Sequence, residues 1–256
     1  MTPPARPGAR SFANRFGPRS SQYRDARPAY PLALFHYFAM ASGRTQLVWD
    51  CATGNGQAAI GLADRFARVI ATDASEQMLA NAMPHRRVTY MISKYDTQLR
   101  DQSVDLVTVA QALHWLDLDP FLREARRVLA PEGLLAVWCY SRFRTAREID
   151  AIFDRFYDVT LGPYWSPERR HVEDGYRSIP LPIDELAAPP FEMVEDWTLG
   201  RTLDYIRTWS GVASCIEARG EAPVLEFEAV MSKAWGNPRL QRRIRWPLHV
   251  RIGRLR

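Results

Sequence analysis

Residues 46–73, QLVWDCATGNGQAAIGLADRFARVIATD, hold the decisive pattern of this chain. A short apolar run ends in Asp50, a turn carries Gly54 and Gly56, an amphipathic stretch follows, and a second apolar run ends in Asp73. This reads as strand, turn, helix, strand, with the two strands parallel. A helix that begins at such a turn presents unpaired backbone N–H groups, which suit a carboxylate or phosphate. An acid closing the second strand offers acceptors for a pair of ribose hydroxyls. The stretch therefore points to a nucleotide cofactor. Gly54, Gly56 and Ala59 also satisfy G-x-G-x-x-G/A, with Asp73 about twenty residues onward, so a dinucleotide stays open. Asp50 weighs against it: an acid just before the glycines can orient the loop and face a cationic sulfonium or amino group, and it repels a pyrophosphate.

Working outward, the same alternation continues. Strands are predicted at 46–50, 68–73, 88–92, 104–110 and 133–140, and helices at 28–42, 56–66, 75–82 and 120–130, with Ser75 as an N-cap. Such a chain forms a parallel sheet covered on both faces, with ligands at the carboxyl ends of the strands. Asp50, Asp73, Gln111, His114 and Trp115 all fall at that edge. Beyond Tyr140 the rhythm breaks. A long helix near 146–160, a loop over 163–190, a strand at 191–199, helices at 202–215 and 222–235, and a final strand at 243–252 are expected.

Four segments carry a resemblance: DCATGNGQ (50–57), VIATDASEQML (69–79), SVDLVTVAQALHWLD (103–117) and EARRVLAPEGLLAVW (124–138). In order and spacing they resemble the class I S-adenosylmethionine-dependent methyltransferases. YRDARPAYP (23–31), ALHW (112–115) and YWSPER (164–169) are most similar to the group that includes trans-aconitate methyltransferase. The resemblance implies an α/β fold: a Rossmann-like seven-stranded, mostly parallel sheet with helices on both faces, its last strand antiparallel, and a helical cap insertion. It implies a methyltransferase domain over 21–256, with a cofactor-binding core about 44–141 and 191–252 and a cap over 142–190 and 202–236, behind a disordered basic arm over 1–20. Asp50, Ala52, Thr53, Gly54, Gly56, Gln57, Asp73, Ala74, Met78, Tyr95, Asp96 and Gln111 are the implied cofactor residues. Asp73 also reads as a helix cap, and Asp96 as a solvated loop acid. Tyr23, Tyr30, His114, Trp115, Tyr140, Arg142, Trp165, Arg169 and Trp209 are the implied acceptor-binding set, and His114, Gln111 and Trp115 the catalytic one. Ala52 stands where the family carries its first loop glycine, which narrows the freedom of the turn.

Methyl transfer from a sulfonium is an in-line displacement, so alignment and exclusion of water are the protein's main tasks. A carboxylate acceptor needs no base and calls for guanidinium groups, with Arg142, Arg169, Arg170 and Arg207 as candidates. A phenol, amine or hydroxyl acceptor makes His114 the natural base. Arg27 is a candidate partner for the methionyl carboxylate.

The net charge of +5 suggests nucleic-acid binding until it is divided along the chain. Residues 1–24 hold five arginines and no acid, residues 239–256 hold seven arginines and no acid, and the intervening body is net acidic. The final arginines alternate with Ile244, Trp246, Leu248, Val250 and Ile252, as on a half-buried strand with a basic solvent face. Methylation of a small molecule, at an oxygen of a carboxylic acid or a secondary metabolite, is the leading reading; RNA or protein methylation, a non-catalytic S-adenosylmethionine-binding protein and an NAD oxidoreductase are the rivals. A cytoplasmic protein, monomeric or homodimeric, is expected, with an organelle transit peptide as the alternative for its N-terminus. Cys51, Cys139 and Cys215 lack C-x-x-C spacing, so neither disulfides nor a metal site is expected.

Overall fold

The computed structural model describes residues 27–256; the predicted basic arm and Tyr23 lie outside them. Eight strands form: β1 (Leu47–Cys51), β2 (Arg68–Asp73), β3 (Val88–Ile92), β4 (Val104–Ala110), β5 (Leu129–Cys139), β6 (Ile183–Glu185), β7 (Phe191–Trp197) and β8 (Arg242–Leu255). Seven lie on one path, β3-β2-β1-β4-β5-β8-β6, and β7 pairs with β8 beside it. Pairings from β3 through β5 are parallel. The last strand runs antiparallel to β5, β6 and β7.

Strand periodicity decides how the sheet is covered. Val48, Leu106, Ala136 and Trp138 face one apolar layer, while their neighbours Trp49, Val107, Val137 and Cys139 face the other. Side chains alternate across a pleated strand, so strands apolar at every position bury both faces. The first layer is covered by α1 (Leu32–Ser42) and α2 (Gln57–Ala63), and the second by α4 (Leu118–Val128). In α4 the buried residues are Phe121, Leu122, Ala125 and Val128, a single stripe at helical spacing. Between them, α3 (Glu76–Ala80) starts at Ser75, whose hydroxyl accepts from the Met78 N–H as expected of an N-cap.

Several boundaries differ from expectation. The first helix begins at Leu32, because Pro31 is extended; residues 27–31 thus stay free to cross the sheet edge. The fourth helix stops at Val128 and β5 begins at Leu129, since Pro131 cannot continue a helix and biases its predecessor toward extended backbone. Past β5, α5 (Arg147–Arg155) runs into a π turn over Phe156–Thr160. The expected loop at 163–190 contains α6 (Arg169–Glu173) and the three-residue β6, too short to leave a pattern. One expected helix is two, α7 (Leu199–Arg207) and α8 (Ser210–Arg219), parted where Trp209 turns extended. That break lets the Trp209 ring pack edge-on against Phe153, Tyr157 and Tyr205. The long α9 (Ala222–Trp235) leads to β8.

Arg243 and Arg245 lie on the solvent face as the alternation predicts, beside buried Ile244, Trp246 and Leu248, whereas Arg251 is largely buried and donates to the Tyr176 and Ile179 carbonyls. Arginines of β8 and the following Arg256 meet acids on neighbouring segments: Arg243 with Asp196, Arg245 with Glu192, Arg251 with Glu185, Arg254 with Glu132 and Arg256 with Asp184. No described helix is long and apolar enough to cross a membrane. The three cysteines are buried and unpaired.

Candidate active site

The strand order reverses between β1 and β4, and such a switch point leaves a crevice at the carboxyl ends of the strands. A cavity lies there, bounded by the loop after β1, the start of α3, the turn after β4, and Tyr140. Ala52, Thr53, Gly54, Gln57, Asp73, Met78, Gln111, Trp115, Tyr30 and Tyr140 all line it, as does Arg27. Arg27, Gln111, Trp115 and Tyr140 also line a second cavity, completed by His114, Ser141, Trp165, Ser166, Arg169, Tyr205, Trp209 and Ser210. The two cavities are neighbours that share those four wall residues.

The loop after β1 is set by backbone geometry. Its turn takes Ala52, Gly54 and Gly56 into the left-handed region, at φ 54°, 61° and 84°. Glycine alone fits at residue 56, where a Cβ would stand 2.1 Å from the Tyr90 hydroxyl oxygen. Ala52 tolerates the same backbone region at a cost of about 1–2 kcal/mol. The Gly54 N–H donates to Asp73 Oδ2 and the Ser75 N–H to Oδ1, both at 2.8 Å. Burial raises the Asp73 pKa, opposed by those backbone N–H groups and that of Ala74. Each carboxylate oxygen retains a lone pair, and the side chain lines the first cavity.

Asp50 orients the loop as expected but does not reach the cavity. Its carboxylate is wholly buried and lines neither cavity; Thr53 donates to Oδ2 at 2.5 Å and Thr108 to Oδ1 at 2.6 Å. Burial pushes its pKa up to about 6 against both hydroxyls, with nearby Asp73 adding to the rise. It anchors the loop from beneath and does not face a ligand cation. Gln111 is also engaged: its Nε2 donates to the Tyr140 carbonyl at 2.7 Å and its Oε1 accepts the Tyr140 N–H at 2.8 Å. The amide ties the ends of β4 and β5 together, while its second N–H and second oxygen lone pair make no bond to another described residue and the side chain lines both cavities.

Ala74 is exposed beside Asp73. Gly56 shapes the loop without lining the cavity. Tyr95 and Asp96 are not brought to either cavity. The Tyr95 hydroxyl accepts the Asp117 N–H, and Asp96 accepts the Gln98 N–H within its own turn. Of the two readings of Asp96, a cofactor residue or a solvated loop acid, this geometry matches the second: the loop after β3 folds toward α4, where Glu124 holds Thr97.

In the second cavity Arg169 is the guanidinium that arrives. Its Nε donates to the Tyr157 hydroxyl at 2.8 Å and to Glu173 at 3.1 Å. Its terminal nitrogens make no hydrogen bond to another described residue. Arg142 does not arrive: Asp154, Asp158 and Glu173 take its nitrogens, and its guanidinium lies over the Tyr157 ring. Arg207 is held by Glu221 and Glu228, and Arg170 is exposed. His114 lies 3.0 Å by Nδ1 from the Tyr176 hydroxyl. Burial, then the neighbouring Arg169 and His171, push its pKa down to about 3, so the ring is neutral. Trp165 and Trp209 form one wall, and the Trp165 indole donates to the Tyr157 carbonyl. Sequence reasoning missed Ser75, Tyr176 and Tyr205 at the site. Tyr176 and Tyr205 come from segments whose pattern gave no functional signal, and Ser75 was read only as a cap.

Comparison with known proteins agrees with this geometry. Residues 49–137 match the methyltransferase domain family. A solved structure of a type II methyltransferase from Anaeromyxobacter dehalogenans, so named by inference, superposes with a TM-score of 0.85 at 42% identity, over 89% of this chain and 97% of that one. A Dictyostelium discoideum protein, also named a methyltransferase by inference, is 31% identical over 92% of this chain and 91% of its own length. An uncharacterised methyltransferase of Mycobacterium tuberculosis is 34% identical over 64% of this chain and 71% of its own. The chain belongs to the class I S-adenosylmethionine-dependent methyltransferases.

Proposed function

We propose that this methyltransferase methylates a carboxylate oxygen of a small organic acid seated in the second cavity, with S-adenosylmethionine in the first. The observation that carries the reading is the charge of the acceptor side: Arg27 and Arg169 among its described lining residues, three serines, and no Asp or Glu. A cavity of that composition favours an anion and disfavours an amine. The resemblance of YRDARPAYP, ALHW and YWSPER to the trans-aconitate methyltransferase group supports the same class. The division into a cofactor-binding core and an acceptor-binding cap is part of this proposal.

The first cavity fits the cofactor. Asp73 offers acceptors to a ribose, the loop over Ala52–Gln57 brings backbone close to the ligand, and Met78 supplies an apolar wall. Arg27, Trp115 and Tyr140 are shared by the two cavities, and Tyr30 lines the first. S-adenosylmethionine supplies a methyl group whose sulfonium leaves as a neutral thioether. The carboxylate gives an oxygen electron pair to the methyl carbon, and no proton has to move. The chain's work is then to aim the acid: Arg169 holds it, Trp165 and Trp209 exclude water, and Tyr140 and Trp115 narrow the passage. A neutral His114 with so low a pKa is a poor base, which disfavours a phenol, amine or hydroxyl acceptor.

Calorimetric titration with S-adenosylmethionine, S-adenosylhomocysteine and NAD tests the cofactor half, with micromolar binding of the first two expected and binding of NAD alone overturning it. A panel of trans-aconitate, citrate, a simple phenol and a primary amine, read by mass spectrometry, tests the acceptor. A methyl ester from an acid supports the reading; methylation of the phenol or amine alone sinks it. Removing residues 1–18 addresses the RNA rival: unchanged activity and no salt-dependent RNA binding are expected.

A further inference from the structure

Tyr176 follows Gly175 in an unusual backbone: both are in the left-handed region, at φ 65° and 67°. A bulky side chain rarely adopts that conformation and holds it only where the surroundings enforce it. Here they do. Arg251 donates to the Tyr176 carbonyl at 2.8 Å, the Tyr176 N–H donates to the His171 carbonyl at 2.7 Å, and the ring is fully buried. The enforced conformation carries the phenol to His114.

The direction of that hydrogen bond follows from burial. Among the described residues the Tyr176 hydroxyl has one acceptor within reach, His114 Nδ1 at 3.0 Å. If Nδ1 carried the proton, the phenolic hydrogen would be left buried without an acceptor, a costly arrangement. The Leu113 backbone N–H also faces the phenol oxygen, which further commits the hydroxyl hydrogen to Nδ1. A neutral imidazole accepting at Nδ1 carries its proton at Nε2. Nε2 bonds no other described residue and is not one of the buried polar atoms lacking a partner, while the ring lines the acceptor cavity.

We propose that Tyr176 is a positioning residue that fixes His114 as the Nε2–H tautomer, so that His114 presents a hydrogen-bond donor, and not a base, to the acceptor's oxygen. The assignment deepens the carboxylate reading and rests on it for the identity of the oxygen. A donor at this point accepts a carboxylate, whose oxygens all carry lone pairs. It leaves an amine or hydroxyl with its proton unclaimed.

The test is nitrogen NMR of the uniformly labelled full chain, with H114Q assigning the His114 signals and Y176F as the probe. Wild type should show Nε2 protonated and Nδ1 shifted as a hydrogen-bond acceptor. In Y176F the Nδ1 signal should move to the position of an unbonded ring nitrogen, with S-adenosylhomocysteine affinity unchanged. A protonated Nδ1 in wild type, or His114 signals unmoved in Y176F, overturns the proposal; the wild-type spectrum decides the tautomer even where the variant does not fold. With an acid that turns over, H114Q, which keeps a donor, should lose no more than about threefold in kcat/KM. H114L, which has none, should lose about tenfold to a hundredfold in kcat/KM. Equal losses in the two variants would again overturn it. If no acid is methylated while the spectra behave as expected, the carboxylate reading falls and the Tyr176 assignment stands.

Discussion

The two cavities share four wall residues but are built by different means. The first is made by short-range geometry: a strand end, a turn of three left-handed residues, and backbone N–H groups aimed at Asp73. The second is made by side chains drawn from residues 27, 111–115, 140–141, 165–169 and 205–210, held in place by Tyr157, Glu173 and Tyr176 behind them. A site built from backbone leaves its mark in consecutive residues. One built from long-range packing leaves almost none.

If the division is functional, the halves should be separable. The largest effect expected is that of R169A, which removes the guanidinium from the acid and leaves the cofactor loop untouched. Loss of a partly buried, charge-assisted contact is worth about 3 kcal/mol, so kcat/KM for the acid should fall about 100- to 1000-fold. S-adenosylhomocysteine affinity, measured by calorimetry, should stay within about threefold. A parallel fall in cofactor affinity would erase the separation between the halves.

A change in the loop should do the reverse and act on stability. G56A places a methyl group against Tyr90 and an L side chain in left-handed backbone. Overpacking and backbone strain together amount to about 2–4 kcal/mol. Thermal unfolding should shift down by about 5–15 °C in a chain of this size. A shift near zero would show that Tyr90, whose hydroxyl donates to the Met83 carbonyl, moves aside freely.

This contrast explains what the sequence disclosed. Asp50, Gly54, Gly56 and Asp73 were legible because continuous apolar runs and a glycine turn fix where strand ends fall. The sheet followed: the alternation of Arg243 and Arg245 with Ile244 and Trp246 marked its last strand, and the family resemblance implied that this strand runs antiparallel. Roles were less legible than places. Nothing in the motif distinguishes an Asp50 facing a ligand from one clamped by Thr53 and Thr108, because Thr108 is 58 residues away. In the cap, Arg142 and Arg169 look alike in sequence. Acids at 154, 158 and 173 claim the first, while Trp165 and Tyr157 guide the second, and only the fold reveals that choice.

The buried Asp50 sharpens the comparison through pH. Its pKa in the folded state is about 6, raised above the ordinary carboxylate value, so between about pH 4 and pH 6 the folded chain binds more protons at this group than the unfolded chain. Its contribution to stability is therefore present at the acid end and lost as pH rises through 6. D50N cannot ionise. Relative to wild type it should gain up to about 2–3 kcal/mol between pH 4 and pH 7 and then hold level. Denaturant unfolding of both proteins across that range measures the difference. A difference independent of pH would mean that Thr53 and Thr108 hold Asp50 ionised throughout.

The smallest effect concerns Ala52, where this chain has alanine at the family's glycine position. Its φ of 54° lies in backbone that costs an L residue about 1–2 kcal/mol, and glycine removes that cost. Glycine also enlarges the freedom of the unfolded chain by about 0.5–1 kcal/mol and withdraws a methyl group from the apolar layer around Trp49. The balance favours A52G by at most about 1 kcal/mol. Because the Thr53 N–H is tied to the Thr72 carbonyl at 2.9 Å and the Gly54 N–H to Asp73, the loop should keep its shape and cofactor affinity should change less than about twofold. If A52G were instead destabilised, packing of the methyl group would outweigh backbone strain. The cofactor loop would then depend on side-chain contacts, as the cap does, and the contrast between the halves would weaken at its strongest point.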